Sequence, residues 1–453
     1  MYSIQRCLTL SVALCLLAAC APASNNSNVV STNPTPSPTA SASPSPTTSG
    51  TASVQMTLPL LDALLSDEKF VGQVKSNLKI SDDQVAELKR VSSAEIDRLR
   101  ASNAEDVDGN SASDARTRAS EQIRTILGEE KSKQLESAVN DYWSKGELMA
   151  TGTQDKNQPQ MLPGPNAVPT DTRIVVNIPA FRMDLFQDGK LVKSYKVGIG
   201  YPEFPLPIGL RKANQIIFNP SWTPPDSPWV AKMKNVTAGE TIQPGDKDNP
   251  LGPIKIPIGL PSLIHGGKAP AKIGKFASHG CVGLTTPQVK DFAVQLAHAS
   301  GTSEVTEQSL AAYLKDKERT KTVKLNQTVP VELRYETIVL EDGKLHIYKD
   351  VYAQDTNTEE NLRQVLSANG VKFEDLSEQQ RTEVLNALNA LSLHPTASAS
   401  PSPEASPEKK VARTKKPARP QNEIVIDLSS VSGVAQKGYP APVDLDTGTG
   451  KRT

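Results

Sequence analysis

Apolar residues recur at helical spacing through the early part of the chain. Residues 56–148 contain a short apolar face, a capping-type start at Ser81 and, after it, hydrophobic positions every three or four residues. The apolar positions are Leu58, Leu61, Leu64, Leu65, Val85, Leu88, Val91, Ile96, Leu99, Ile123, Ile126, Leu127, Leu135, Val139 and Tyr142. The pattern predicts a helical accessory region at residues 55–149, either a plain helical hairpin or a surface that binds a partner.

The middle of the chain changes to the short runs that are typical of strands. Runs rich in β-branched residues are separated by turn pairs such as Asp188-Gly189 and Asp342-Gly343. The runs are Ile174 to Ile178, Arg182 to Phe186, Leu191 to Val197, Ile216 to Phe218, Ile254 to Ile256, Val329 to Tyr335 and Leu345 to Val351. One helical pattern follows Pro287. We predict a mostly β domain at residues 172–352 with a short helix.

Helical spacing returns in residues 353–394, where a second capped start lies at Ser377. This helical segment repeats the pattern of the early helices, and we expect the two to pack together. Residues 395–453 follow, with many Pro, Ala and Ser residues and a basic cluster from Lys409 to Arg419. We expect this tail to be mostly disordered, apart from an edge strand at Glu423 to Leu428.

Two further stretches have the composition of linkers, because Pro, Ser, Thr, Gly or Gln dominate them. Residues 21–54 form a predicted tether and residues 150–171 a predicted linker. Before the tether, residues 1–20 carry Arg6 and an apolar run that is too short to span a bilayer stably. That run ends in Leu17-Ala18-Ala19-Cys20, which resembles a bacterial lipoprotein box. A plain secretory signal that is cut nearby is the alternative.

Charge and cysteine usage narrow the classes of function. The chain has 453 residues and a formal net charge of zero, so no overall basic field indicates a nucleic-acid partner. Three of its four cysteines, Cys7, Cys15 and Cys20, lie in the N-terminal segment. Cys281 therefore has no partner for a disulfide in the mature domains, and it is expected to be a free thiol even in an oxidising compartment.

The clearest chemistry lies in Ser278-His279-Gly280-Cys281, with a second His-Gly pair upstream at His265-Gly266. A lone cysteine near two histidines offers a nucleophile and a base to deprotonate it. Residue types alone leave three other interpretations open. Cys281 can be a small buried hydrophobe, the cluster can be a metal site with three ligands and no evident fourth, or the histidines can be ordinary polar residues.

The surrounding sequence resembles one known family. The run from Ile264 to Gly267, then Ile273-Gly274-Lys275 and Ala277 to Val282, is similar to the signature of L,D-transpeptidases with a YkuD-type catalytic domain. The similarity covers roughly residues 172–350, with supporting motifs at Asp184 to Phe186, Val197 to Gly200, Asn219 to Pro225 and Asn249 to Gly252. It implies a YkuD-like β-sandwich with a short helix.

The resemblance also implies cysteine chemistry on the stem peptides of peptidoglycan. Cys281 would attack the carbonyl of the third stem residue and release the terminal D-alanine, and the thioester would pass to an amine. By motif position, His265 is the expected general base. His279 and the backbone around Gly280 and Cys281 would orient the thiolate and hold the oxyanion. The hydroxyl of Ser278 would support the histidines.

Motif position further suggests which residues border the substrate. Gly266, Gly267, Val282 and Gly283 are expected to do so, while Trp222 either lines the same groove or packs beneath a Pro-rich loop. Position 283 departs from the family, in which an arginine usually stands two residues after the cysteine. Such an arginine would anchor a carboxylate or the backbone, so donor recognition or local packing is expected to differ here.

These observations predict an exported cysteine transpeptidase, anchored by lipid at Cys20 in the outer membrane if the cell has one. Its expected partners are peptidoglycan stem peptides, the membrane and, as one acceptor, a wall-attached protein. Cross-linking, protein attachment, carboxypeptidase trimming and hydrolysis share the acyl-enzyme and stay open. The rival is a wall-binding scaffold lipoprotein with low or no turnover. No metal, organic cofactor or nucleic acid is expected.

Overall fold

The computed structural model of the chain describes residues 56–102, 111–145, 160–225, 230, 233–259, 262–392, 422–431, 434 and 438–449. Cys20, the tether at residues 21–54 and the basic cluster lie outside the described residues. The expectations about export, lipidation and the basic cluster therefore stay predictions.

The N-terminal region is helical, as predicted. Its helices are α1 (Leu58–Leu65), α2 (Glu68–Leu78), α3 (Asp82–Ser102) and α4 (Ser111–Lys145), the last interrupted at Gly128, whose backbone is not helical. The start of α3 is the capping box foreseen at Ser81, which exchanges hydrogen bonds of 3.1 and 3.2 Å with Gln84. The apolar faces of the four helices enclose one core, which includes Leu61, Phe70 and Leu88.

The central region is mostly β, which confirms the predicted fold class. Its strands are β1 (Arg173–Asn177), β2 (Arg182–Gln187), β3 (Lys190–Lys196), β4 (Ile199–Gly200), β5 (Gly209–Phe218), β6 (Ile254–Pro257), β7 (Leu263–His265), β8 (Phe276–Ser278), β9 (Val282–Gly283) and β10 (Lys321–Arg334). Eight of them form one sheet in the order β3-β2-β1-β10-β5-β6-β7-β9, and β4 pairs with β8. Within that sheet, β1 runs parallel to β10 and β7 runs parallel to β9.

The two edges of this sheet meet. Gly198, just after β3, donates to the carbonyl of Gly283 in β9 at 2.9 Å, and Gly283 donates back at 2.8 Å. A β-carbon at Gly198 would lie 2.6 Å from Cβ of Ala277, so the close approach requires glycine there. The sheet is therefore curled, and its β9 edge is fixed in place.

Two helices accompany the sheet, α5 (Thr286–Ala299) and α6 (Glu307–Lys315). Helix α5 follows β9 directly and begins with a capping box between Thr285 and Gln288. Its apolar side, including Val289 and Phe292, is fully buried in the core of the sheet. This packing holds the chain that follows β9 against the sheet.

The C-terminal helices do not pack as we predicted. Helices α7 (Glu359–Ala368) and α8 (Glu378–Leu391) share a core with a second sheet of β11 (Ile338–Glu341), β12 (Lys344–Tyr348) and β13 (Glu423–Asp427). The early helices have their own core. The expected pairing of the two helical regions is wrong, because the apolar faces of α7 and α8 are covered by this sheet.

The end of the described chain returns to the first sheet. Residues 438–449, which we call the C-terminal strap, run beside β3. Ser194 donates from its backbone to Val443 at 3.0 Å and accepts from Asp446 at 3.0 Å, and Lys196 donates to Asp446 at 2.9 Å. The strap is thus part of the packed structure, unlike the disorder expected for most of the tail.

A search of the described helices finds none with the length and apolar content needed to cross a membrane.

Candidate active site

Parallel pairing of β7 with β9 brings the two chemical motifs together. The register pairs Ile264 with Val282 and His265 with Gly283. The backbone N–H of Leu284 donates to the carbonyl of His265 at 2.8 Å. Cys281 immediately precedes β9, so the segment that carries it runs beside β7, which ends at His265.

A tight turn presents Cys281 at the start of β9. The backbone N–H of Cys281 donates to Oγ of Ser278 at 3.0 Å, and the Ser278 hydroxyl donates to the Cys281 carbonyl. Gly280 has a φ of +94°, which favours glycine, and its carbonyl accepts from Oγ of Ser262 at 2.7 Å. Ser278 was expected to support the histidines; its hydroxyl instead hydrogen-bonds to the backbone of Cys281.

His265 is a neutral base at ordinary pH. Its side chain is buried, and Nδ1 lies 2.8 Å from the carbonyl oxygen of Gly266. A carbonyl can only accept, so the neutral ring carries its proton on Nδ1 and leaves Nε2 unprotonated. Burial, reinforced by the charge of Lys268, lowers the pKa of His265 to about 3, although the carbonyls of Gly266 and Leu251 oppose this.

Cys281 is a half-buried free thiol. Burial raises the pKa of this thiol, while the backbone of Leu263 and the charge of Lys268 act in the opposite direction. Because its pKa is raised, Cys281 rests as a thiol, and its ionisation needs a base to take the proton.

His279 occupies a different environment from His265. Its ring lies 5.3 Å from the ring of Tyr201 and 4.9 Å from that of Phe204, measured between centroids, with the Phe204 contact edge-to-face. These two residues belong to the loop that follows β4. The arrangement fixes the orientation of His279 through aromatic packing, next to the turn that carries Cys281.

The residues expected to border the substrate fall into two groups. Val282 is fully buried in the core, and Trp222 packs with Val230 and Leu251 in a small apolar cluster. Their side chains are used for packing, which corrects the expectation for Val282 and selects the packing alternative for Trp222. Gly267 is exposed, whereas Gly266 is buried against helix α5.

Sequence reasoning missed Lys268. Its backbone N–H donates to the carbonyl of Leu284 at 3.0 Å, and its side chain lies against Gly283. The signal available in the sequence was a lysine shortly after the first His-Gly pair, together with a glycine where an arginine was expected.

Within the part of the chain that the structure describes, no group of three or more His, Cys, Asp or Glu residues is placed to hold a metal ion.

Comparison with known proteins finds one family. Residues 171–323 match the family described as the YkuD L,D-transpeptidase catalytic domain. The probable L,D-transpeptidase YbiS of Escherichia coli K12 is 34% identical over 141 residues, which are 30% of this chain and 44% of that protein. The chain thus spans less than half the length of this curated relative.

Solved structures of L,D-transpeptidases are also similar to part of the chain. The catalytic domain from E. faecium is 16% identical, with a TM-score of 0.23, over 37% of this chain and all of that domain. The enzyme from Mycobacterium smegmatis is 15% identical, with a TM-score of 0.22, over 36% of this chain and 58% of its own. Residues 171–323 of this chain therefore match the YkuD L,D-transpeptidase catalytic domain, and a curated relative with 34% identity is named a probable L,D-transpeptidase.

Proposed function

We propose that this protein is a peptidoglycan L,D-transpeptidase with Cys281 as its nucleophile. The observation that carries the proposal is the pairing of β7 with β9. Through this pairing the buried imidazole of His265 lies on the strand next to the one that Cys281 immediately precedes, and burial lowers the pKa of that imidazole. Family membership of residues 171–323 supports the substrate class, which is the stem tetrapeptide of peptidoglycan.

In the first half of the proposed reaction, Sγ of Cys281 bonds to the carbonyl carbon of the third stem residue while Nε2 of His265 takes the thiol proton. The carbonyl electron pair moves to oxygen. When it returns, the bond to D-alanine breaks and the leaving amine takes the proton from His265. The products are a thioester on Cys281 and free D-alanine.

In the second half, an acceptor amine attacks the thioester and gives a proton to His265. The C–S bond breaks, and Cys281 recovers the proton. Water in place of the amine gives a tripeptide, so trimming and cross-linking differ only in the acceptor.

The oxyanion needs a hydrogen-bond donor that is not already used within the turn from Ser278 to Cys281. The N–H of Cys281 already donates to Ser278. The N–H of Gly280 makes no hydrogen bond to other described residues, and we assign it to the oxyanion. This refines the expectation that the backbone of Gly280 and Cys281 acts jointly.

Intact-protein mass spectrometry tests the proposal. The full chain in detergent is mixed with disaccharide tetrapeptide, and the wild type is expected to gain an acyl mass as D-alanine is released. Cys281→Ala should gain none. His265→Gln should acylate roughly 10²–10⁴-fold more slowly because the general base is lost, whereas His298→Gln, on the exposed side of α5, should match the wild type.

The products of the same reaction identify the acceptor. A muropeptide dimer indicates cross-linking, a tripeptide indicates trimming, and a protein-linked muropeptide indicates attachment. A folded wild type that forms neither adduct nor product would overturn the enzyme proposal in favour of the scaffold.

Export and lipid anchoring at Cys20 are proposed on the sequence alone. Incorporation of a labelled fatty acid into the wild type, and its loss in Cys20→Ser, is the expected result. Labelling that persists in Cys20→Ser would contradict this assignment.

A further inference from the structure

The space beside Gly283 is filled by the side chain of another residue. A β-carbon added at Gly283 would lie 2.8 Å from Cγ, 3.3 Å from Cδ and 2.9 Å from Cε of Lys268. Carbon atoms in contact are about 3.5–4.0 Å apart. The lysine side chain in this position and any side chain at residue 283 therefore exclude each other.

Backbone hydrogen bonds fix both partners of this contact. Lys268 donates to the carbonyl of Leu284 at 3.0 Å, so the lysine starts next to the residue that follows Gly283. Gly283 itself is joined to Gly198 by the two bonds that close the sheet, at 2.8 and 2.9 Å. The half-buried side chain of Lys268 passes across Gly283. Gly283 follows Val282 in β9, and Cys281 immediately precedes that strand.

The charge of Lys268 acts on the nucleophile. Burial raises the pKa of Cys281, and the positive charge of Lys268 opposes that rise. Burial lowers the pKa of Lys268, and the Cys281 thiolate opposes that fall while Lys272 adds to it. Each of the two groups thus favours the charged form of the other.

His265 cannot supply this charge in the resting site. Burial lowers the pKa of His265 to about 3, and the charges of Lys268 and Lys255 add to that effect. The ring is therefore neutral at pH 7 and becomes a cation only when it has taken the proton of Cys281. A positive charge that is present before the transfer favours ionisation of the thiol from the start.

We infer that Lys268 is a positioning residue whose ammonium group stabilises the Cys281 thiolate, in the space that the missing side chain of Gly283 leaves open. Lys268 acts in its protonated form, and the thiol proton goes to His265. The position of the Lys268 side chain thus depends on glycine at position 283, because a side chain there would occupy the same space. The inference rests on the proposed function for its purpose, but ionisation of Cys281 can be measured without a substrate.

The test is the pH dependence of Cys281 alkylation by iodoacetamide in the full chain. Peptide mapping restricts the signal to Cys281, because three other cysteines lie near the N-terminus. Lys268→Met removes the charge and keeps much of the bulk, whereas Lys268→Arg keeps the charge. In the double variant K268A/G283R, alanine vacates the space and an arginine restores the charge from the other strand.

We expect Lys268→Met to move the midpoint of the alkylation profile upward by about one pH unit and to slow the reaction at pH 7 about tenfold. Lys268→Arg should stay near the wild type, and K268A/G283R should recover most of the loss seen in Lys268→Ala. A thermal melt of each variant establishes that it is folded.

A folded Lys268→Met protein with the wild-type midpoint would overturn the inference. So would an equal shift in Lys268→Met and Lys268→Arg, since that result indicates packing rather than charge. The outcome is independent of the transpeptidase test. A shifted midpoint without any acyl adduct leaves the inference standing and removes the proposed function, and an adduct with an unshifted midpoint does the reverse.

Discussion

Ser278 and Cys281 hydrogen-bond to each other in both directions across a short turn. The N–H of Cys281 donates to Oγ of Ser278 at 3.0 Å, and the hydroxyl donates back to the carbonyl of Cys281. One side chain thus satisfies both backbone groups of the nucleophile. The position of Sγ relative to His265 depends on a hydroxyl that need not touch the substrate.

Ser278→Ala should therefore impair catalysis through geometry. Loss of the two bonds is expected to destabilise the protein by about 1–2 kcal/mol and to slow acylation by roughly tenfold or more, because the thiol is displaced from its attack position. Acyl-adduct formation and chemical denaturation measure the two effects. Ser278→Thr keeps the hydroxyl and is the matched control. Equal acylation by the alanine and threonine variants would refute this account of the turn.

His265 makes stability depend on pH in a window below neutrality. Its pKa is about 3 in the folded protein and about 6.5 in the unfolded chain. Between these values the unfolded state binds more protons, so this contribution is fully present above about pH 6.5 and is lost as the pH falls toward 3. Between pH 7.5 and pH 5 the loss should be about 2 kcal/mol.

Denaturant unfolding at pH 7.5 and pH 5 gives the change in the free energy of unfolding for each variant. A comparison between variants cancels the effect of the carboxylates, which all of them share. His265→Gln should shrink the pH-dependent loss of stability by about 2 kcal/mol. His298→Gln, at an exposed position, is the control and should not. If the two variants respond equally to pH, His265 is not held neutral by the fold.

Gly252 and Gly267 are predicted to be intolerant of side chains. Gly252 has a φ of +65°, and a β-carbon there would lie 2.5 Å from the backbone nitrogen of Gly267. Gly252→Ala should cost about 2 kcal/mol or more, because backbone atoms beside His265 must move. Gly72→Ala, in helix α2 with no heavy atom within 4 Å, should instead stabilise by about 0.5–1 kcal/mol. Similar unfolding free energies for both variants would contradict the clash.

Removal of the C-terminal strap should destabilise the catalytic sheet. Deletion of residues 438–453 leaves Ser194 and Lys196 without their backbone partners and uncovers Phe186, against which Tyr439 packs at 5.9 Å. We expect a loss of about 3 kcal/mol or more and a greater tendency to aggregate through the edge of β3. Deletion of residues 450–453 keeps every one of these contacts and should leave the melting temperature nearly unchanged. A full-stability protein without residues 438–453 would show that the strap is dispensable.

The proposed nucleophile and base could be singled out from the sequence because they lie in short local motifs. His265 and Cys281 lie in two short motifs, and strand pairing over a short loop joins them. Lys268 could not be found in this way, since its importance depends on which side chain fills the space at Gly283. A residue's type also does not determine which way it faces, so Val282 was assigned to the substrate although its side chain lies in the core.

The packing partner of the C-terminal helices could not be predicted from the sequence, for a related reason. The apolar spacing of α7 and α8 predicts a buried face but does not specify the element that covers it. Their cover includes β13, which joins β12 from a part of the chain separated from α8 by residues 393–421. The edge strand expected at Glu423 to Leu428 is present as β13, whereas the strap at residues 438–449 lies in the part of the tail expected to be disordered.

The strap and β13 belong to the packed structure, although residues 393–421 separate them along the chain from helix α8. Both lie after residue 421, yet β13 pairs with β12 along five residues, and the strap hydrogen-bonds to β3. A protease that cuts once between residues 393 and 421 would divide the polypeptide into two fragments held together only by non-covalent contacts. Such a nicked protein should migrate as one species under native conditions and as two in detergent, with its active site supplied wholly by the larger fragment.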